Sequence, residues 1–176
     1  MCIEDYGRNV IIIKAIAAVD SNWGIGYKGN LLEHIPEDMK FFKQSTLGKI
    51  VVMGRETFES LPGKQPLKER INIVLSKNGN FDDDRIIVCR SMDELFLELK
   101  KYSDDEVFVI GGASIYSQLL PYCSEVFITK IGKAYEADKY FNNLDENESW
   151  KLVYESETQN YNDIKYRFVK YKKVGI

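Results

Sequence analysis

The chain has 176 residues, of which 44% are hydrophobic and 29% charged, a composition of folded globular proteins and not of disordered ones. Its 24 Lys and Arg against 27 Asp and Glu leave a net charge of −3, which speaks against a nucleic-acid binder held by bulk charge. Three scattered cysteines and one histidine, His34, argue against a disulfide scaffold, a zinc site and His-dependent catalysis.

The segment 10–19 is apolar and β-branched, then small, and predicts a buried strand. A glycine-bearing loop follows to about Ile35. Pro36 suits a first helical turn, and a helix runs on to Leu47 with Met39 and Phe42 on one face. Ile50 to Met53 predicts a short buried strand, Gly54 a break, and Arg55 to Leu61 a short helix. Pro62, Gly63 and Pro66 mark a loop. Arg70 to Ser76 alternates apolar and polar residues as a strand does, and the acidic run Asp82 to Asp84 reads as a solvated turn. Ile86 to Cys89 is a further strand. Ser91 and Glu94 form a capping box for the helix carrying Leu95 and Leu99. Val107 to Ile110 predicts a strand, Gly111-Gly112 a break, Ser114 to Leu120 a helix, and Val126 to Thr129 a strand. Trp150 to Glu155 and Tyr161 to Tyr171 read as a final antiparallel pair. No apolar run reaches the roughly 20 residues that span a bilayer. The start, with Glu4 and Asp5, lacks a signal-peptide layout, so a cytoplasmic protein is expected. Strands alternating with helices predict an α/β domain with a largely parallel sheet and ligands at the carboxyl ends of its strands.

Gly24 to Gly29 matches G-x-G-x-x-G, but residues 20–23 separate it from the strand and no helix is signalled before Pro36. A dinucleotide fingerprint needs the helix to open inside the motif, so a flexible loop passing a ligand is the better reading. Two strand–glycine–helix junctions, at Gly54-Arg55 and at Gly111-Gly112, place helix starts at strand carboxyl ends, where a pyrophosphate finds backbone donors. Arg55, Lys77 and Arg90 all follow predicted strands and can converge on one rim, as a specific phosphate such as the 2′-phosphate of NADPH requires. Asp38, on the first turn of an apolar-faced helix, either complements the helix dipole or is a pocket carboxylate for a ligand with paired N–H donors, such as an aminopyrimidine edge. The residues alone leave both readings open.

In order and spacing, these segments resemble the dihydrofolate reductases over nearly the whole chain from Val10. The resemblance rests on Ala17-Ala18-Val19-Asp20, Gly24-Ile25-Gly26, Ile35 to Phe42, Val51 to Ser60, Ile71 to Ser76, Val109 to Tyr116 and Phe127-Ile128-Thr129. It implies a single α/β domain over residues 10–176, an eight-stranded, mostly parallel sheet with an antiparallel C-terminal strand and four flanking helices. It also implies NADPH-dependent reduction of 7,8-dihydrofolate, with hydride passing to pterin C6 and a proton reaching N5 through water. Asp38 then matches the acid that binds the pterin, Thr129 its hydrogen-bonding partner, and Leu31 a lid residue of the catalytic centre. Met39, Phe42, Leu61 and Leu67 match apolar walls, and Arg70 the clamp for the substrate's α-carboxylate. Ile16, Ala17 and Ile110 match residues lining the pterin. Ala18, Ile25, Gly26, Asn30 and Leu31 match the nicotinamide side. Gly54, Arg55, Thr57, Leu75, Ser76, Lys77, Arg90, Ile110 and the helix start Gly112, Ala113, Ser114, Ile115, Tyr116 and Gln118 match the rest of the cofactor site. No metal is implied, nor a nucleic-acid or membrane partner, and a monomer is expected.

The chain departs from the family pattern at three places. Leu32-Glu33 stands where many members have Pro-Trp, which puts lid packing and the proton route in question. A carboxylate there raises the Asp38 pKa if the two approach. Glu56 stands where a basic or neutral residue often faces the pyrophosphate and is expected to turn outward. Residues 1–9 extend beyond the usual start. Two further readings stay open at this point: a non-catalytic nucleotide- or folate-binding module on the same scaffold, and a pyrimidine reductase of riboflavin synthesis.

Overall fold

A computed structural model describes residues 11–102 and 106–175; the N-terminal extension lies outside the described residues. In chain order the elements are β1 (Ile12–Val19), β2 (Gly24–Gly26), α1 (Pro36–Thr46), β3 (Ile50–Gly54), α2 (Arg55–Ser60), β4 (Ile71–Leu75), β5 (Ile86–Cys89), α3 (Met92–Leu99), β6 (Glu106–Gly111), α4 (Ala113–Leu119), β7 (Glu125–Ile131), β8 (Lys139–Tyr140), β9 (Trp150–Glu155), β10 (Gln159–Tyr161) and β11 (Ile164–Lys173).

The main sheet runs β10-β11-β7-β1-β6-β3-β4-β5, and β9 pairs with β11 along the same edge as β10. It is therefore eight strands wide. All ladders from β7 to β5 are parallel, and β11 is antiparallel to β7. Parallel strands are covered on both faces, which is why the inner ones read as unbroken apolar runs. In β3 every residue is buried. In β4 the alternation seen in the sequence does not separate core from solvent, because Asn72, Ile73 and Val74 are all buried. Asn72 instead acts as a backbone substitute. Its Oδ1 accepts from Leu67 N at 2.9 Å, and its Nδ2 donates to Leu67 O at 2.9 Å and to Arg70 O at 3.0 Å.

The glycines at 24 and 26 do not form an open loop. They form β2, paired antiparallel with β8. A Cβ on Gly24 would stand 2.8 Å from the Ala137 Cβ, so close approach of this second segment, not of a ligand, requires glycine there. The capping box forms with a shift. Ser91 Oγ accepts from Glu94 N at 3.1 Å, but the Glu94 carboxylate reaches past the cap to Arg90 N at 2.7 Å.

Charges gather at the amino ends of the strands. Lys14 bonds Glu106 and sits 3.4 Å from Glu125, Lys49 reaches Glu106 at 2.8 Å, and Lys170 reaches Glu125 at 2.8 Å. The opposite rim, at the carboxyl ends, is where the candidate site lies.

Candidate active site

Sheet order arranges the expected site residues along one rim. β7 contributes Thr129, which is in register with Ala18 of β1; β6 ends in Ile110 and Gly111; β3 ends in Gly54, beside Leu75 of β4, which is in turn in register with Cys89 of β5. Six adjacent strands at about 4.8 Å spacing give a rim roughly 24 Å long, suited to an elongated ligand.

The carboxylate that the sequence singled out lies at one end of this rim. α1 has Ile35 at its N-cap with no side-chain cap, and Pro36 opens the helix. Asp38, on its first turn, is partly buried, and Thr129 donates its hydroxyl to Asp38 Oδ1 at 2.6 Å. Burial lifts the Asp38 pKa above the usual carboxylate range, and the Thr129 bond works against that rise. The side chain is thus a partly buried carboxylate bonded across to β7, not a fully solvated dipole partner.

One turn further along α1, Phe42 packs with Leu61, Leu67 and Ile110 on one apolar cluster that includes Ile16 and Met53, so three of the four expected wall residues share a surface with two expected pterin-lining residues. Met39 stands apart, 39% exposed. The Ile16 carbonyl already accepts from the Tyr116 hydroxyl at 2.6 Å. Tyr116 is buried, and its phenol is pushed up by burial and by the nearby Asp38 charge. Expected substrate and cofactor residues therefore meet at this bond. Arg70 is held by Thr46 Oγ1 at 3.2 Å, Lys68 O at 2.7 Å and Lys43 O at 3.4 Å, which fixes the guanidinium beside the α1 carboxyl end.

The lid residues divide. Ile25 packs on the main core and Gly26 pairs with β8, whereas Asn30 and Leu31 are exposed, Leu31 by 51%. Glu33 does not approach Asp38 in the way the sequence suggested. Its Oε2 accepts from the Tyr135 hydroxyl at 2.8 Å and its Oε1 from His34 N at 3.1 Å. Both bonds hold its pKa below the usual range, and Asp38 owes its raised pKa to burial alone. Glu56 is exposed, as expected.

The other end of the rim can be tested for a dinucleotide. Gly54 caps α2 and Gly112 caps α4, neither helix has a side-chain cap, and a Cβ on Gly112 would lie 3.4 Å from Thr57 Oγ1. Two helix starts with free first-turn donors therefore abut, flanked by a hydroxyl. Arg90 Nη1 donates to Ser76 O at 3.1 Å, which brings its cation to the end of β4 beside exposed Lys77. Arg55 is exposed at the start of α2. The Ser76 hydroxyl is spent on Asn78 O, and the Gln118 amide on Ser114 Oγ at 3.0 Å. Backbone donors, Thr57 and three cations remain, and this set fits a phosphorylated dinucleotide such as NADPH. Ala113 and Ile115 supply first-turn backbone at that junction.

The residues that sequence reasoning missed hold the site together. They are Asn72, which fixes Leu67 and Arg70, and Tyr135, which holds Glu33. A polar residue inside an otherwise apolar strand was the only signal for the first. For the second there was none.

The comparisons agree with this geometry. A family model described as dihydrofolate reductase matches residues 12–173. A dihydrofolate reductase of Bacillus subtilis (strain 168) is 37% identical over 92% of this chain and 95% of its own length. One of Neisseria gonorrhoeae is 38% identical over 90% and 96%. The solved structure of dihydrofolate reductase from Enterococcus faecalis complexed with NADP(H) and RAB-propyl superposes with a TM-score of 0.80 at 31% identity, covering 93% of this chain and 96% of that one. The chain belongs to the dihydrofolate reductase family, oxidoreductases that reduce dihydrofolate with NADPH.

Proposed function

We propose that this chain reduces 7,8-dihydrofolate to 5,6,7,8-tetrahydrofolate, supporting one-carbon and thymidylate metabolism, and that Asp38 grips the pterin and governs the proton that reaches N5. The observation that carries the reading is the partly buried Asp38–Thr129 pair at 2.6 Å, with Phe42 one turn along the same helix on an apolar cluster that also carries Leu61 and Leu67. Thr129 occupies one lone pair of Oδ1, which leaves the rest of the carboxyl to accept from paired N–H donors on a flat heterocycle. Phe42, Leu61 and Leu67 exclude water from the ring faces, and Arg70 meets the anionic tail. NADPH, when bound, supplies the hydride. Thr57, the starts of α2 and α4, and Arg55, Lys77 and Arg90 hold and orient its phosphates, while Ala18 and Ile25 flank its nicotinamide end. With a raised pKa, Asp38 shifts more readily between its charged and neutral forms near neutral pH, as a group tuning a proton transfer needs to.

With Glu33 bonded away from the cleft, the motive for a non-catalytic module falls away, and the named relatives favour folate over a ribityl substrate. No helix among the described residues is long and apolar enough to cross a membrane. A monomer working in the cytoplasm is our reading. The test is dihydrofolate-dependent oxidation of NADPH across several pH values, with light scattering for the mass. Tight binding of both ligands without turnover would overturn it.

A further inference from the structure

The segment 132–140 straps the loop that runs from β1 to α1. Lys133 O accepts from Ser21 N at 3.1 Å, Asp138 Oδ2 accepts from Lys28 N at 3.0 Å, Asp138 N donates to Gly26 O at 3.0 Å, and β8 pairs with β2. These bonds hold the near part of the loop. The far part, residues 31–35, leads into α1 and carries none of them. Its polar tie is the Tyr135 hydroxyl on Glu33 Oε2. The same tyrosine bonds back to the loop's beginning, where Tyr135 N donates to Asp20 Oδ2 at 2.9 Å, and buried Asp20 accepts from Gly24 N at 2.8 Å and Asn22 N at 2.9 Å through its other oxygen. The Tyr135 ring packs on the cluster of Ile35, Ile131 and Tyr166. Ile35 is the N-cap of α1, which has no side-chain cap of its own. One residue therefore bonds both stems of the loop and packs on the cluster that includes Ile35, the residue that starts the helix bearing Asp38.

We propose that Tyr135 and Glu33 form a positioning pair that fixes the far stem of the loop, and with it the start of α1, so that Asp38 is held at the pterin. The proposal rests on the reductase reading above. Glu33 is a positioning residue here, standing outside the chemistry, and it serves as a hydrogen-bond acceptor. A glutamine at this position accepts the same bond, and a leucine does not.

The experiment compares the wild-type chain with Tyr135→Phe, Glu33→Gln, Glu33→Leu and the Tyr135→Phe/Glu33→Leu double variant. It uses single-turnover hydride transfer, the NADPH dissociation constant, and hydrogen exchange of the protein without ligands. Tyr135→Phe and Glu33→Leu are each expected to slow hydride transfer about 5–20-fold, within the range that misplacement of catalytic geometry produces. NADPH binding should change less than about twofold. Amides 31–38 should exchange faster in both variants. Glu33→Gln should restore rate and protection to near wild type, and the double variant should be no slower than the worse single one. Wild-type rates and exchange in Tyr135→Phe overturn the pair, as does a Glu33→Gln variant as impaired as Glu33→Leu, or effects that multiply in the double variant. Exchange is read without substrate. An inactive wild-type chain therefore refutes the reductase reading, while unchanged exchange in an active Tyr135→Phe refutes only this one.

Discussion

Thr129 and Asp38, 91 residues apart in sequence, share a hydrogen bond of 2.6 Å between hydroxyl and carboxylate at the carboxyl end of the sheet. The bond opposes what burial does to the acid. Burial favours the neutral carboxyl, and the hydroxyl, as a donor, favours the charged one. Replacing Thr129 by valine removes the donor and leaves burial unopposed. The Asp38 pKa should then rise further, and the pH dependence of hydride transfer should move to higher pH. A single-turnover profile from pH 5 to 9 (about four decades of proton activity) checks the direction.

Asp38→Asn should lower hydride transfer at neutral pH by about 10²–10⁴, the usual worth of a group that manages a proton. It should also make the fold more stable at pH 7. The folded-state pKa of Asp38 lies above its unfolded value, so the acid's contribution to stability is fully present below the unfolded pKa and is lost as pH rises through the folded one. Asparagine stays neutral throughout. Thermal unfolding should show a raised midpoint at pH 7 and convergence with the wild type in acid.

Arg70→Ala should weaken dihydrofolate binding by about 1.5–3 kcal/mol, the scale of a charge-assisted hydrogen bond, and leave NADPH binding near normal. The guanidinium's three bonds to Thr46, Lys68 and Lys43 pre-organise it, so Arg70→Lys should recover little of the loss. Equilibrium titration with each ligand separates the two effects.

The pair Arg55 and Arg90 should set the preference for NADPH over NADH. Arg90 is anchored on Ser76 O, and Arg55 starts α2. Changing both to alanine should cost NADPH about 2–4 kcal/mol of binding at moderate ionic strength, taking each contact at the charge-assisted scale and allowing for screening of exposed Arg55. NADH should be nearly unaffected. The ratio of kcat/KM values for the two cofactors is the measurement.

At the opposite rim, Lys14 and Lys49 hold the Glu106 carboxyl down to a pKa of about 2. A depressed folded-state pKa contributes stability above the unfolded value, and this is lost as pH falls through about 2. Glu106→Gln should cost about 1–2 kcal/mol at pH 7, since partial exposure discounts the pairing, and should cost much less near pH 2. Urea unfolding at the two pH values tests it, and turnover should be unchanged.

Much of this was legible in the sequence where local physics decides. Unbroken β-branched runs gave the inner parallel strands, and Pro36 and Ser91 gave helix starts. Short elements escaped, because β2 and β8 have three and two residues and so no period to read. β10 escaped as well: the sequence reads Tyr161 into the last strand, whereas Gln159–Tyr161 is a three-residue strand of its own that pairs antiparallel with the start of β11. At the site, the sequence leaves Asp38 readable as a dipole partner or a pocket acid, and what it could not show is that the first turn of α1 lies against Thr129. The Glu33 substitution pointed toward Asp38 by proximity in sequence, yet its partner lies 102 residues away on a loop with no motif.

The amide of Asn72 has one more consequence. It joins Leu67 and the Arg70 carbonyl to a buried position of β4, so the backbone around Leu67 behaves as a rigid surface. A ligand that shifts the Leu67 backbone must break two hydrogen bonds to the Asn72 amide at once. Adaptation falls instead to Met39 of α1, an unbranched side chain 39% exposed and able to re-pack.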